Sequence, residues 1–226
     1  MTTLIVVLGF LPGFAWLYFY LREDTHPEPK SLIALTFLAG AVSAFIALGI
    51  EYILSFFLRG AGIERMAISS LLAFALIEET VKFGAAYFSV RNRAALDEPV
   101  DAMIYMVTAA LGFATVENLG AVSLGTGGAG AAIISNIFAT TSLRFVGATL
   151  LHSLTSGLVG YYWAWDIREF KIRKYIYVGI VAATVLHATF NHLILAYGNL
   201  AYLVMFLTVI GFFVLNDFEK MKNKAV

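Results

Sequence analysis

Residues 31–58, SLIALTFLAGAVSAFIALGIEYILSFFL, form an apolar run of 28 residues with one charged side chain, Glu51. As a helix rising 1.5 Å per residue it would be about 42 Å long, more than the roughly 30 Å hydrocarbon core of a bilayer. The run is not isolated. Across 226 residues, 60% are hydrophobic and only 13% charged, whereas a soluble domain carries about 25% charged residues. So little charge cannot coat a water-facing surface, so the chain reads as a polytopic membrane protein. About seven spans can be placed, at 2–21, 31–58, 66–90, 100–123, 143–166, 174–197 and 199–216. Residues 131–142, AAIISNIFATTS, are too short to cross alone and are expected to form a half-helix or re-entrant piece before the fifth span. The expected fold is an all-α membrane helical bundle, a single unit over 1–226 whose polar motifs lie within about 66–195.

The formal net charge is zero, which argues against nucleic acid as a partner. There is no cysteine, so disulfides, thiolate metal sites and cysteine nucleophiles are excluded. No basic residue precedes the first apolar run, MTTLIVVLGF, so it reads as a retained span rather than a secretory signal. Arg22, Lys30, Arg91, Arg93, Arg168, Lys171, Arg173, Lys174, Lys220, Lys222 and Lys224 fall on one side of a seven-span map, against Arg59 and Arg65 on the other. Basic loops face the cytoplasm, which predicts a plasma-membrane protein with its N-terminus outside and its C-terminus cytoplasmic. No internal repeat or inverted pair of broken helices is evident, which weakens a secondary-transporter reading.

Ionisable groups at bilayer depth cost several kcal/mol and mark cavities or partners. Here they are Glu51, Glu78, Glu79, Lys82, Glu117, Arg144, His152 and His187, with Asn118, Asn191 and His192 beside them. In IEETVKFGAAYF, Glu78 and Lys82 are four apart and could pair along one helix face, which leaves Glu79 unexplained. Two adjacent carboxylates in low dielectric suit a general base. His187 and Asn191 share a face, while His192 points elsewhere, and Glu51 has no assignable role. Placed on the orientation above, Glu78, Glu79, Glu117, His152 and His187 lie roughly 9 to 20 Å from the outer face. Rare polar groups from four spans in one slab are expected to meet.

Carboxylates and histidines in a membrane cavity suit hydrolysis, with a glutamate taking a proton from water and a histidine or asparagine stabilising the oxyanion. The same groups could hold a divalent metal, although HExxH is absent. Ser153 and Ser156 lie near His152 without an aspartate at matching depth. A proton or ion pathway is the other functional reading of such a slab.

Several ordered elements resemble the PrsW family of bacterial intramembrane proteases. EETVK (Glu78, Glu79, Lys82) matches its EExxK motif, and DEPVDAMIYM (97–106) resembles its Asp-Pro-hydrophobic-Asp-Gly segment, with Ala102 where glycine is usual. FATVEN (113–118), SLRFVGATLLHSLTSGLVGYYW (142–163) and HATFNH (187–192) follow in the family's order. The family is related to the CAAX prenyl endopeptidases and the bacteriocin-immunity-like membrane proteases. The resemblance implies an intramembrane endopeptidase domain that cuts a single-span membrane protein, such as an anti-sigma factor, near the extracytoplasmic side in a stress response. It implies that Glu78 or Glu79 activates water, that His152 and His187 stabilise the oxyanion or ligate a metal, and that Asn191 adds a donor. Glu117 would orient one of these groups or complete a ligand set, and Lys82, Asn118 and Arg144 would support them. Zinc on Glu79, His152 and His187 is the cofactor to test. A proton-coupled carrier or channel, and a CAAX-type protease or immunity protein, are the competing readings.

Overall fold

The computed structural model describes residues 2–24, 26–124, 131–168 and 174–222, and all regular structure among them is α-helical. In chain order the helices are α1 (Thr2–Leu21), α2 (Lys30–Gly60), α3 (Ile68–Val90), α4 (Pro99–Leu124), α5 (Ala131–Val146), α6 (Ala148–Arg168), α7 (Lys174–Tyr197) and α8 (Leu200–Lys222). Five of them, α1, α2, α4, α7 and α8, are long and apolar enough to cross a membrane by length and composition. At 23 and 21 residues, α3 and α6 are also long enough, but their apolar character is diluted. They carry Glu78, Glu79 and Lys82, and His152, Ser153, Thr155 and Ser156, respectively. Those polar side chains are buried, while α3 still exposes Leu72, Leu76 and Phe88.

At the bundle's centre lies α4, in which every residue from Pro99 to Thr115 is buried. Small residues make that position available. A Cβ on Gly40 of α2 would lie 1.9 Å from the Ala109 carbonyl oxygen, and one on Gly112 would lie 2.0 Å from that of Phe37. The α2 and α4 backbones therefore touch in both directions, as small residues permit at membrane helix interfaces. On the opposite flank, a Cβ on Gly160 of α6 would come within 2.6 Å of Met103 Cα. α1 and α3 also pack on this axis, and α7 packs on α6 and α3. The periphery belongs to α8, with 22% of its most apolar stretch buried against 94% for α4.

The last span, expected to end at 216, runs to Lys222 in α8, and the fifth differs more. The fifth span was expected to open at residue 143 after a half-helix at 131–142. Instead α5 runs on to Val146, and Gly147 joins it to α6. Glycine is the poorest helix former apart from proline, so the joint falls there and not at the polar run ATTS. At 16 residues, α5 is about 24 Å long and short of the roughly 30 Å core.

Candidate active site

Polar side chains from α3, α4, α6 and α7 converge beside the buried axis. Lys82 on α3 is wholly buried and donates to Glu79 Oε1 at 2.7 Å, three residues back along the same helix. The sequence expectation of a Glu78–Lys82 pair is thus corrected: the i,i+3 partner is taken, and Glu78 is the carboxylate left over. Glu79 is fully enclosed. Its Oε1 also accepts from Thr155 Oγ1 at 3.1 Å and lies 2.8 Å from His187 Nδ1. Ser156 Oγ approaches its second oxygen at 3.5 Å. Four partners from three helices hold this carboxylate.

These contacts fix the two imidazoles. Glu79 is acceptor-only when ionised, so His187 Nδ1 carries a proton, and in the neutral ring Nε2 keeps a lone pair. An ammonium likewise has only donors, so Lys82 donates to His152 Nδ1 at 3.0 Å. His152 Nε2 then donates to Glu117 Oε2 at 2.7 Å. The rings meet edge to face, with centroids 5.0 Å apart. Glu78 lies between them: its Oε2 is 3.9 Å from His152 Nδ1 and 3.8 Å from His187 Nε2, beyond hydrogen-bond range. That oxygen is a buried acceptor with no hydrogen-bond partner among the described residues.

A second tier lies towards the α4–α5 end. Arg144 donates to Glu117 Oε2 at 3.2 Å and, through Nε, to Asn118 Oδ1, while Asn118 Nδ2 donates to Thr149 Oγ1 at 3.0 Å. The Glu117 and Arg144 side chains are 31% and 22% exposed, whereas Glu79 and Lys82 are sealed, so the cluster opens past Glu117. Asn191 is half-buried one turn beyond His187 and makes no side-chain hydrogen bond among the described residues. His192 is exposed and Glu51 half-buried. Thr155 was not singled out by sequence reasoning, although its spacing of three from His152 puts both on one face of α6.

The pattern described as PrsW family intramembrane metalloprotease matches residues 28–215. The chain belongs to the PrsW family. It is 30% identical to Protease PrsW of Geobacillus kaustophilus over 98% of this chain and 93% of that protein. It is 27% identical to Protease PrsW of Bacillus subtilis over 97% and 96%, respectively. No solved structure matches the chain. Membership makes this a multi-pass intramembrane protease and sets the proton-coupled carrier aside.

The family description includes a metal, and among the described residues one trio of side chains could hold it. Glu78, His152 and His187 each offer one ligand atom, all within 4.8 Å of one another. The carboxylate here is Glu78, whereas the sequence reading put Glu79 in the metal set; the Glu79 oxygens are spent on Lys82, His187 and Thr155. Two of the three ligand atoms are open, since Glu78 Oε2 has no partner and His187 Nε2 keeps its lone pair. The third is engaged, because Lys82 donates to His152 Nδ1. The trio therefore suits a divalent ion in donor type, but not with Lys82 where it lies.

Proposed function

We propose that this PrsW-family protein is a single-domain membrane endopeptidase that hydrolyses one peptide bond of a membrane-anchored protein near the extracytoplasmic side. An anti-sigma factor in a regulated-proteolysis pathway is the kind of substrate intended. The N-terminus outside and the C-terminus cytoplasmic, as the basic loops argue, puts Glu117 and Arg144 towards the outer leaflet.

The observation that carries the mechanism is Glu78 Oε2, an unpartnered buried acceptor 3.8 Å from the free nitrogen of His187. Two acceptors at that separation can each take one hydrogen of a single water, which aims its oxygen lone pair outward. Glu78 withdraws a proton as the water oxygen bonds to the peptide carbonyl carbon. Asn191 supplies an N–H to the oxygen that gains charge, and the buried Lys82 ammonium stabilises that charge through space. Glu78 then returns the proton to the departing amine as the C–N bond breaks, so water is divided between the two products. Glu79 positions His187 and Lys82, and Glu117 with Arg144 and Asn118 positions His152. A divalent ion bound at Glu78 and the two histidines would lower the pKa of a bound water, but no step here depends on it.

The test is to compare membranes containing the wild-type protein with membranes containing Glu78→Gln, by quantitative proteomics. A shortened single-span protein is expected in the first and absent in the second. A substrate cut equally by both would remove Glu78 from the reaction.

A further inference from the structure

Lys82 fills the face of the cluster that a metal would need. Its Nζ lies 3.0 Å from His152 Nδ1 and 2.7 Å from Glu79 Oε1, and its side chain is fully buried. The lone pair it uses on His152 is the only one that ring has, because Nε2 donates to Glu117. A zinc on an imidazole nitrogen sits about 2.0–2.1 Å away along that lone pair, the direction Lys82 already occupies. The ammonium is confined as well as bonded, with the Phe113 ring centroid 5.2 Å from Nζ.

Charge points the same way. The Lys82 ammonium makes the surroundings of Glu78, Glu79 and Glu117 one unit more positive, which opposes a divalent ion in a low-dielectric site, and its loss would leave these carboxylates one cation fewer.

We propose that Lys82 is a resident cation that competes with divalent metal for Glu78, His152 and His187. The intact protein then binds metal weakly, and loss of the ammonium turns the same residues into a three-donor metal site. This rests on reading the cluster as the reaction centre, but its test reads metal binding and needs no turnover. Failure of the Glu78→Gln comparison would therefore be distinguishable from failure here.

Full-length protein in lipid nanodiscs is dialysed to equilibrium against micromolar zinc and its metal content measured by mass spectrometry. Cobalt is then titrated by its visible absorption. The wild-type protein should hold far less than one zinc per chain. Lys82→Met should bind at least about tenfold more tightly, a factor one nearby unit charge readily supplies. Lys82→Met/His187→Ala should lose that gain. Wild-type protein holding a full zinc per chain, Lys82→Met binding no more tightly, or a gain that survives His187→Ala would each overturn the proposal. If Lys82→Met does not fold, the wild-type zinc content alone decides.

Discussion

Two acidic clusters tie this bundle together, one among the helices and one at their ends, and they use their carboxylate oxygens differently. In the end cluster, Asp24 accepts the backbone N–H groups of His26 and Glu28 at 2.9 and 3.1 Å. Asp101 reaches back to the N–H groups of Asp97 and Glu98 at 3.0 and 2.6 Å, as the distal half of a capping box does, with Pro99 opening α4. Glu28 accepts from the Tyr105 hydroxyl, and His26 pairs with Glu98. In the interior cluster, Glu79 is equally well satisfied, but Glu78 Oε2 has no partner. Carboxylates whose oxygens are spent on backbone and side-chain donors hold structure; one kept unspent, between two imidazoles, is available to a substrate.

The sharpest way to break that contrast is Glu78→Gln. A general base is worth about 10²–10⁴-fold, so cleavage should fall by at least about 100-fold, while the melting temperature barely moves because no hydrogen bond is lost. A Glu78→Gln protein that cleaves normally would put the two clusters in the same class.

Glu79→Gln should behave otherwise. It removes the charge opposite a fully buried ammonium, a change that costs about 3–5 kcal/mol when one partner of a buried pair is lost. Activity of the folded fraction should drop roughly 10–100-fold, the cost of losing a partner that orients a neighbouring group. Glu79→Gln/Lys82→Met should recover much of the stability, read by thermal unfolding, without restoring cleavage.

In the end cluster the effect should be on stability alone. Asp101→Ala strips two N–H groups of their acceptor and should cost about 1 kcal/mol, the usual value of a lost cap. Cleavage per folded molecule should stay at the wild-type level; a matching loss of activity would mean that the two clusters communicate.

The sequence made one half of this contrast legible. Runs such as residues 31–58 leave little choice but a helical bundle, and the scarcity of charge made Glu78, Glu79, Lys82, Glu117, His152 and His187 stand out. The pairing among them was not legible. Helix periodicity allows Lys82 to reach either Glu78 or Glu79, and only the approach of His187 from α7 and Thr155 from α6 decides for Glu79. The sequence reading ended the half-helix at 142, short of the joint that the structure puts at Gly147. Nor does spacing predict that Gly40 and Gly112 seat α2 against α4, since glycine is common in membrane helices generally.

The smallest predicted effect concerns pH. Burial pushes the Glu28 carboxyl above its ordinary 4.5, with the Tyr105 hydroxyl pulling partly the other way and Asp24 adding to the rise. A carboxyl raised on folding binds its proton more tightly in the native state than in the unfolded chain. Its contribution to stability is therefore complete below pH 4.5 and is lost as pH climbs through the raised native value. Glu28→Gln keeps an acceptor for Tyr105 and removes the titration. Thermal unfolding of the two proteins should converge at acid pH and separate modestly above it, with Glu28→Gln the more stable at neutral pH. Because Glu28 is half-buried, solvent screens much of the effect. A slope of the opposite sign would mean that the native fold gains more from a charged Glu28 than burial costs, and the end cluster would then hold an ion it needs.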